Sequence, residues 1–196
     1  MRIHVLNAFA AALFVVPAGV ATEQLILQPQ SKLWVEGTST LKSFSCKVPE
    51  FTLAVKADNA GAVPAVLAGQ KAVRSVDLSV PTAKIECGSG TMNEHMRKAL
   101  KADANQTIKF TLSDYDVAGK TAGAEGTMRG SLSLGGAERP VAVTAVATDA
   151  GDGAMRVVGS YELALSAYDL KAPSLMMGSI KVGDKVRVRF DLVLKN

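Results

Sequence analysis

Few residues in this chain could do chemistry. Two cysteines, Cys46 and Cys87, stand with forty residues between them, and the two histidines are His4 and His95. Zinc would call for histidines and cysteines at ligand spacing, but there is no C-x-x-C pair and no second histidine near His95, so no metal is expected. A Ser/His/Asp site would have to use His95, which follows Glu94 in a charged stretch that reads as a solvated helix face. The carboxylates are scattered along alternating segments, mostly opposite the apolar phase, and form no acid/base pair. "GSLSLGG" is followed by a strand pattern, so it lacks the strand-to-helix setting of a phosphate loop. No catalytic residue is assigned, no cofactor is expected, and the chain reads as a non-enzyme.

The other distinctive side chains are polarizable and apolar. Met92, Met96 and Leu100 share one face of a helical pattern, and Met176 and Met177 form a second pair in "PSLMMGS". Methionine adapts to irregular apolar partners, so the two pairs fit either ordinary core packing or the lining of a ligand site. Both readings stay open at this point.

The elements that position these residues begin after a leader. A basic start, Met1 to His4, precedes an apolar run from Val5 to Val16 and the small residues Gly19-Val20-Ala21, which marks residues 1–21 as a cleaved secretory signal. Residues 22–196 then form one exported domain. Loss of Arg2 leaves 21 basic against 18 acidic residues, a net charge of +3. That charge is small and interleaved, and aromatics are scarce, so nucleic acid is not a partner. In an oxidising compartment a Cys46–Cys87 disulfide is the preferred pairing, with two free buried thiols as the alternative.

Strict alternation dominates the mature chain. In "DKVRVRFDLVLKN", Val186, Val188, Phe190, Leu192 and Leu194 fall on one face, and Arg187, Arg189, Asp191 and Lys195 fall on the other. "KLWVEGTS", "CKVPEFTLAVKA", "AVRSVDLSVPTAKIEC", "TIKFTL", "GTMRGSLSL", "RPVAVTAVAT" and "AMRVVGSYELALSAYDL" repeat the pattern. About eight strands without a linker or an internal repeat predict an all-β fold, an eight-stranded antiparallel barrel. One amphipathic helix over about residues 92–102 interrupts the series, with Thr91 and Glu94 spaced as a capping box.

A barrel of eight strands is just wide enough to fill itself with side chains or to hold one small ligand. The apolar phase, including Phe110, Leu132, Val143, Leu163, Val188 and Phe190, is expected to line that interior. Arg74, Arg97 and Lys98 are candidate contacts for a polar headgroup, against a reading as ordinary surface charge. The same alternation would serve an outer-membrane barrel with its apolar face in lipid, but low aromatic content, the helix and the cysteine pair favour a soluble one.

Taken in order, "SKLWVEGTSTLKSFSC", "MNEHMRKALKA" leading into "IKFTL", "GSLSLGGAERPVAV", "VVGSYELALSAYDLKAP" and "IKVGDKVRVRFDLVL" resemble the YceI-like family from about Ser31 to Asn196. The sequence departs from that pattern at Lys42, Ser43 and Phe44, where related members tend to have His, Asp and Trp. The resemblance implies an extended lipocalin-like barrel, exported to the bacterial periplasm, that carries a long apolar molecule: a polyisoprenoid, an isoprenoid quinone or a fatty-acid-like lipid. It implies no catalytic residue, and it places the helix near one end of the cavity. Transient membrane contact and a homodimer are left open, and a packed periplasmic scaffold acting through its surface is the alternative function.

Overall fold

The computed structural model describes residues 23–175 and 178–196. The leader, and with it the expected cleavage, lies outside the described residues, as do Met176 and Met177. The strands are β1 (Glu23–Leu27), β2 (Lys32–Ser39), β3 (Ser43–Lys47), β4 (Thr52–Ala57), β5 (Val73–Pro81), β6 (Thr107–Lys120), β7 (Gly123–Leu134), β8 (Ala137–Gly151), β9 (Ala154–Ala164), β10 (Ser174–Leu175) and β11 (Ile180–Lys195). Two helices, α1 (Ala62–Leu67) and α2 (Gly90–Ala99), interrupt them.

These strands make eight staves of one closed antiparallel barrel, because two staves are broken. β1 and β2 both pair with the same side of β11, separated by a turn at Pro29 where a ladder amide is unavailable. Across that turn Ser31 holds the stave to β11: its Oγ accepts from the Val193 amide at 3.0 Å. β3 and β4 form the second broken stave, interrupted at Pro49, and pair with β2 and β1 respectively. The remaining staves follow in order β5, β6, β7, β8, β9 and β11, which returns to β1 and β2. The β7–β8 hairpin turns on Gly135 and Gly136, both at positive φ, as a two-residue turn matched to strand twist requires.

Three sequence expectations need correction. α2 begins at Gly90 and ends at Ala99, and its cap is Ser89, whose side chain accepts from the Met92 amide at 3.2 Å, so the Thr91/Glu94 capping box is not used. A second helix, α1, was not expected, because "NAGAVPAVLAGQ" breaks its apolar pattern with Gly and Pro. It is seeded by Asn59, whose Oδ1 accepts from the Gly61 amide at 2.8 Å, and it buries Ala62, Val63 and Val66. β6 also runs eight residues past Leu112: a bulge between Leu112 and Asp114 shifts the phase, so Tyr115 and Val117 take over the inward face.

The core is divided along the barrel. At one end α1 packs with Leu25, Val55, Met155 and Leu194. At the other, Leu134, Leu163, Leu165, Tyr168 and Leu170 pack together. A third group surrounds the disulfide joining Cys46 to Cys87, beneath α2.

Candidate functional site

Between the two end clusters the barrel encloses an apolar cavity of about 270 Å³. Its lining runs from Val66 and Met155 beside α1 to Leu134 and Leu163 at the far end. The volume is just below the range of about 300–1,000 Å³ usual for small-molecule sites, which suits something slender. β8 shows how the sequence builds the wall: Val141, Val143, Ala145 and Ala147 are buried toward the cavity, while Val146 between them is 44% exposed on the outside. Of the described lining residues, only Tyr115, Asp116 and Tyr161 carry polar side-chain atoms, and the Asp116 carboxylate is ion-paired with Arg129.

The outer face is the charged one. Lys185 and Arg187 share Glu162 at 2.9 and 3.7 Å, and Arg189 reaches Glu36 at 2.8 Å. Glu36 is also hydrogen-bonded by the Trp34 indole, which, ahead of the arginines, holds its carboxyl below the usual range. With the apolar phase turned inward and ion pairs outward, the wall is arranged oppositely to a lipid-facing barrel.

Six sequence-derived candidates border the cavity: Phe110, Leu132, Val143, Leu163, Val188 and Phe190. Met92, Met96 and Leu100 do not. They pack on the group formed by Leu33, Cys46, Val48, Val80, Ile85 and Cys87, so the methionine face of α2 covers the disulfide side of the barrel. The three headgroup candidates are not brought together at the cavity. Arg74 is paired with Asp58 and Lys98 with Glu94, the latter at 2.7 Å, while Arg97 lies half-buried on α2. His95 and Lys98 border a surface pocket with Lys101, Asp169 and Lys171. Among the described residues no cluster of His, Cys, Asp and Glu could hold a metal ion.

One part of the wall is closed without a ladder. β5 pairs with β6 only from Asp77↔Thr111 to Pro81↔Thr107, so Val73–Val76 face the second half of β6 without shared main-chain bonds. The segment after α1 fills this seam. Gly69 lies against the backbone of Gly119 so closely that a β-carbon would meet Gly119 Cα at 2.8 Å. Lys71 reaches Asp114 at 3.0 Å and sits 5.4 Å from the Tyr115 ring centroid. Sequence reading missed Tyr115; the alternation of Tyr115 with Val117 signals it only once the bulge is allowed for.

The YceI-like domain family model matches residues 31–194. Comparison with the curated proteins gives no match. Among solved structures, Burkholderia cenocepacia BcnA is similar with a TM-score of 0.65 at 19% identity, over 84% of this chain and 96% of that one. A polyisoprenoid binding domain from Saccharophagus degradans implicated in plant cell wall breakdown gives 0.59 at 12% identity, over 90% and 99%. The Campylobacter jejuni YCEI protein gives 0.57 at 13% identity, over 98% and 97%. At these identities the likeness is one of fold.

Proposed function

The chain belongs to the YceI-like family, and on that premise we propose that it is an exported, non-enzymatic binding protein. Its ligand is a long apolar molecule, a polyisoprenoid, isoprenoid quinone or fatty-acid-like lipid, held in the barrel lumen. The observation that carries this reading is the continuous apolar cavity between the two end clusters. Moving a chain from water into such a space gains about 0.8 kcal/mol per CH₂, so a prenyl or acyl tail binds tightly without any catalytic group. The polyisoprenoid-binding neighbour from Saccharophagus degradans supports the same ligand class. The leader pattern over residues 1–21 supports export, and the periplasm is the compartment where a lipid carrier with a disulfide would work.

The contacts proposed for the chain are Phe110, Leu132, Val143, Leu163, Val188 and Phe190. The scaffold alternative requires a lumen filled by side chains, and the cavity weighs against it. Native mass spectrometry of protein purified from a periplasmic fraction, followed by organic extraction, tests the reading. A stoichiometric long-chain lipid supports it. Bare polypeptide that also refuses added prenyl and acyl lipids overturns it in favour of the scaffold.

A further inference from the structure

The turn between β2 and β3 holds a leucine out into solvent. Ser39 fixes the turn: its Oγ donates to the Lys42 carbonyl at 2.8 Å and accepts from the Leu41 and Lys42 amides at 3.3 and 3.1 Å. Leu41 is 71% exposed, more than any other large apolar side chain among the described residues. A single exposed leucine needs no explanation by itself. This one stands next to Lys42, at an end of the barrel where cations collect. The Thr40 amide donates to the Lys181 carbonyl at 2.9 Å, its Oγ1 accepts from the Lys181 amide at 3.2 Å, and Lys181 pairs with Ser174 on β10. Ser174 borders the surface recess that also takes in His95, Lys98, Lys101 and Lys171. The leucine turn and the recess are therefore two strand spacings, about 10 Å, apart.

Most of these lysines have no carboxylate to answer them. Among the described residues Lys42, Lys101, Lys171 and Lys181 form no ion pair, and all four are exposed. Asp169, the one carboxylate on the recess, is held by Arg139 at 3.1 Å, and the Lys101 ammonium donates to the Asp169 carbonyl at 3.2 Å. Lys98 is paired with Glu94. The opposite end of the barrel differs: the turn between β8 and β9 carries Asp149 and Asp152 and no basic residue. An anionic surface therefore attracts one end of the barrel and repels the turn at the other.

We propose that this end of the barrel docks on an anionic phospholipid bilayer, with Leu41 entering the boundary between headgroups and acyl chains and Lys42, Lys101, Lys171 and Lys181 lying among the phosphates. The attraction of each lysine to a negative leaflet adds to that of the next, and the leucine contributes apolar burial that charge alone lacks. An ammonium is a compact point charge on a flexible stem, which suits lipid phosphates that offer no fixed bidentate geometry. The core of a protein interface is depleted of lysine, so lysines around one projecting leucine fit a fluid surface better than a protein partner. The contact does not depend on what the lumen holds.

The test uses the mature protein with an environment-sensitive dye on one introduced cysteine, Leu41→Cys at the docking tip or Ala150→Cys in the turn between β8 and β9. The native cysteines are joined to each other, so only the introduced one is labelled. Vesicles of phosphatidylcholine mixed with phosphatidylglycerol are expected to brighten and blue-shift the dye in the Leu41→Cys protein and to leave it unchanged in the Ala150→Cys protein. With phosphatidylcholine alone, or in high salt, the shift is expected to disappear. Sedimentation of unlabelled protein with the same vesicles reads the affinity. Lys171→Glu/Lys181→Glu is expected to weaken it by about tenfold or more, and Lys56→Glu/Lys195→Glu, the same change of charge toward the other end, by less than about twofold. No response in the Leu41→Cys protein, equal responses from the two dye positions, or equal losses in the two lysine variants overturns the proposal. A shift that grows with protein concentration and needs no vesicles assigns Leu41 to a second copy of the chain and also overturns it.

Discussion

The phenolic oxygen of Tyr115 accepts a hydrogen bond from the backbone amide of Val73 at 3.0 Å and a second from Ala72 at 2.8 Å. Both amides sit where β5 and β6 share no ladder, so one side chain replaces main-chain pairing across the seam. Tyr115→Phe keeps the ring against the cavity and removes the acceptor. The expected cost is about 1–3 kcal/mol, since two part-buried donors lose their partner. Urea unfolding measures the loss, and amide exchange at Ala72 and Val73 should accelerate more than at Val143 on β8; uniform acceleration would show that the seam is not locally held.

The Cys46–Cys87 disulfide ties β3 to the segment leading into α2, and its partners are 41 residues apart. In the chain-entropy model a loop of that length stabilises the fold by about 4 kcal/mol. The Cys46→Ser/Cys87→Ser variant should lose close to that amount in chemical denaturation. Wild type should fall to nearly the same stability under a reducing agent, and a variant as stable as the oxidised protein would remove the disulfide from the account.

Burial, followed by the neighbouring Tyr161, pushes the Tyr168 phenol up to about 12. An unfolded tyrosine titrates near 10, so below that pH both states hold the proton and stability is unaffected. Between about pH 10 and 12 the unfolded state releases its proton while the folded state keeps it, so stability falls as pH rises. The hydroxyl is buried and has no hydrogen-bond partner among the described residues, so Tyr168→Phe should fold at least as well at pH 8. Its denaturation midpoint should drop less than that of wild type between about pH 9.5 and 11.5, the span over which the unfolded phenol ionises and the folded one does not.

At acid pH the sign reverses. Hydrogen bonding from Arg156 holds the Asp191 carboxyl below its ordinary value, and the pair joins the outer faces of β9 and β11. The stability it lends is present above the ordinary carboxylate pKa of about 3.9 and is lost as pH falls through the lower folded value. Asp191→Asn should therefore be less stable than wild type at pH 6, and the two should converge as the pH drops below about 3. A constant difference across that range would contradict the pairing.

The barrel was legible in the sequence wherever each strand held one phase. β8 from Val141 to Ala147 and β11 from Val186 to Leu194 hold one phase, their register shifts lying outside these spans, and the inward residues Val143, Val188 and Phe190 were predicted from alternation alone. Where the backbone slips a residue, the pattern failed. The bulge after Leu112 hid the second half of β6, and with it Tyr115 and the seam. α1 was invisible because a six-residue helix offers less than two turns of periodicity, and Gly61 and Pro64 interrupt its apolar run. Gly130 and Gly159, which leave room for the Phe110 and Phe190 rings, were illegible for a different reason. Their meaning lies in the ring on the adjacent strand, and only the register of β6 with β7 and of β9 with β11 brings the two together.

The central claim is that a long apolar chain occupies the lumen and not the outer wall. The most direct measurement is methyl NMR of the protein with a fatty acid carrying a nitroxide near its chain end. Val143, Leu163 and Val188, which line the cavity, should lose signal on addition of one equivalent. Val146 and Val158, neighbours in register and exposed on the outer face at 44% and 42%, should keep theirs. Broadening of Val146 and Val158 with the lumen methyls unchanged would place the chain on the surface and contradict the account.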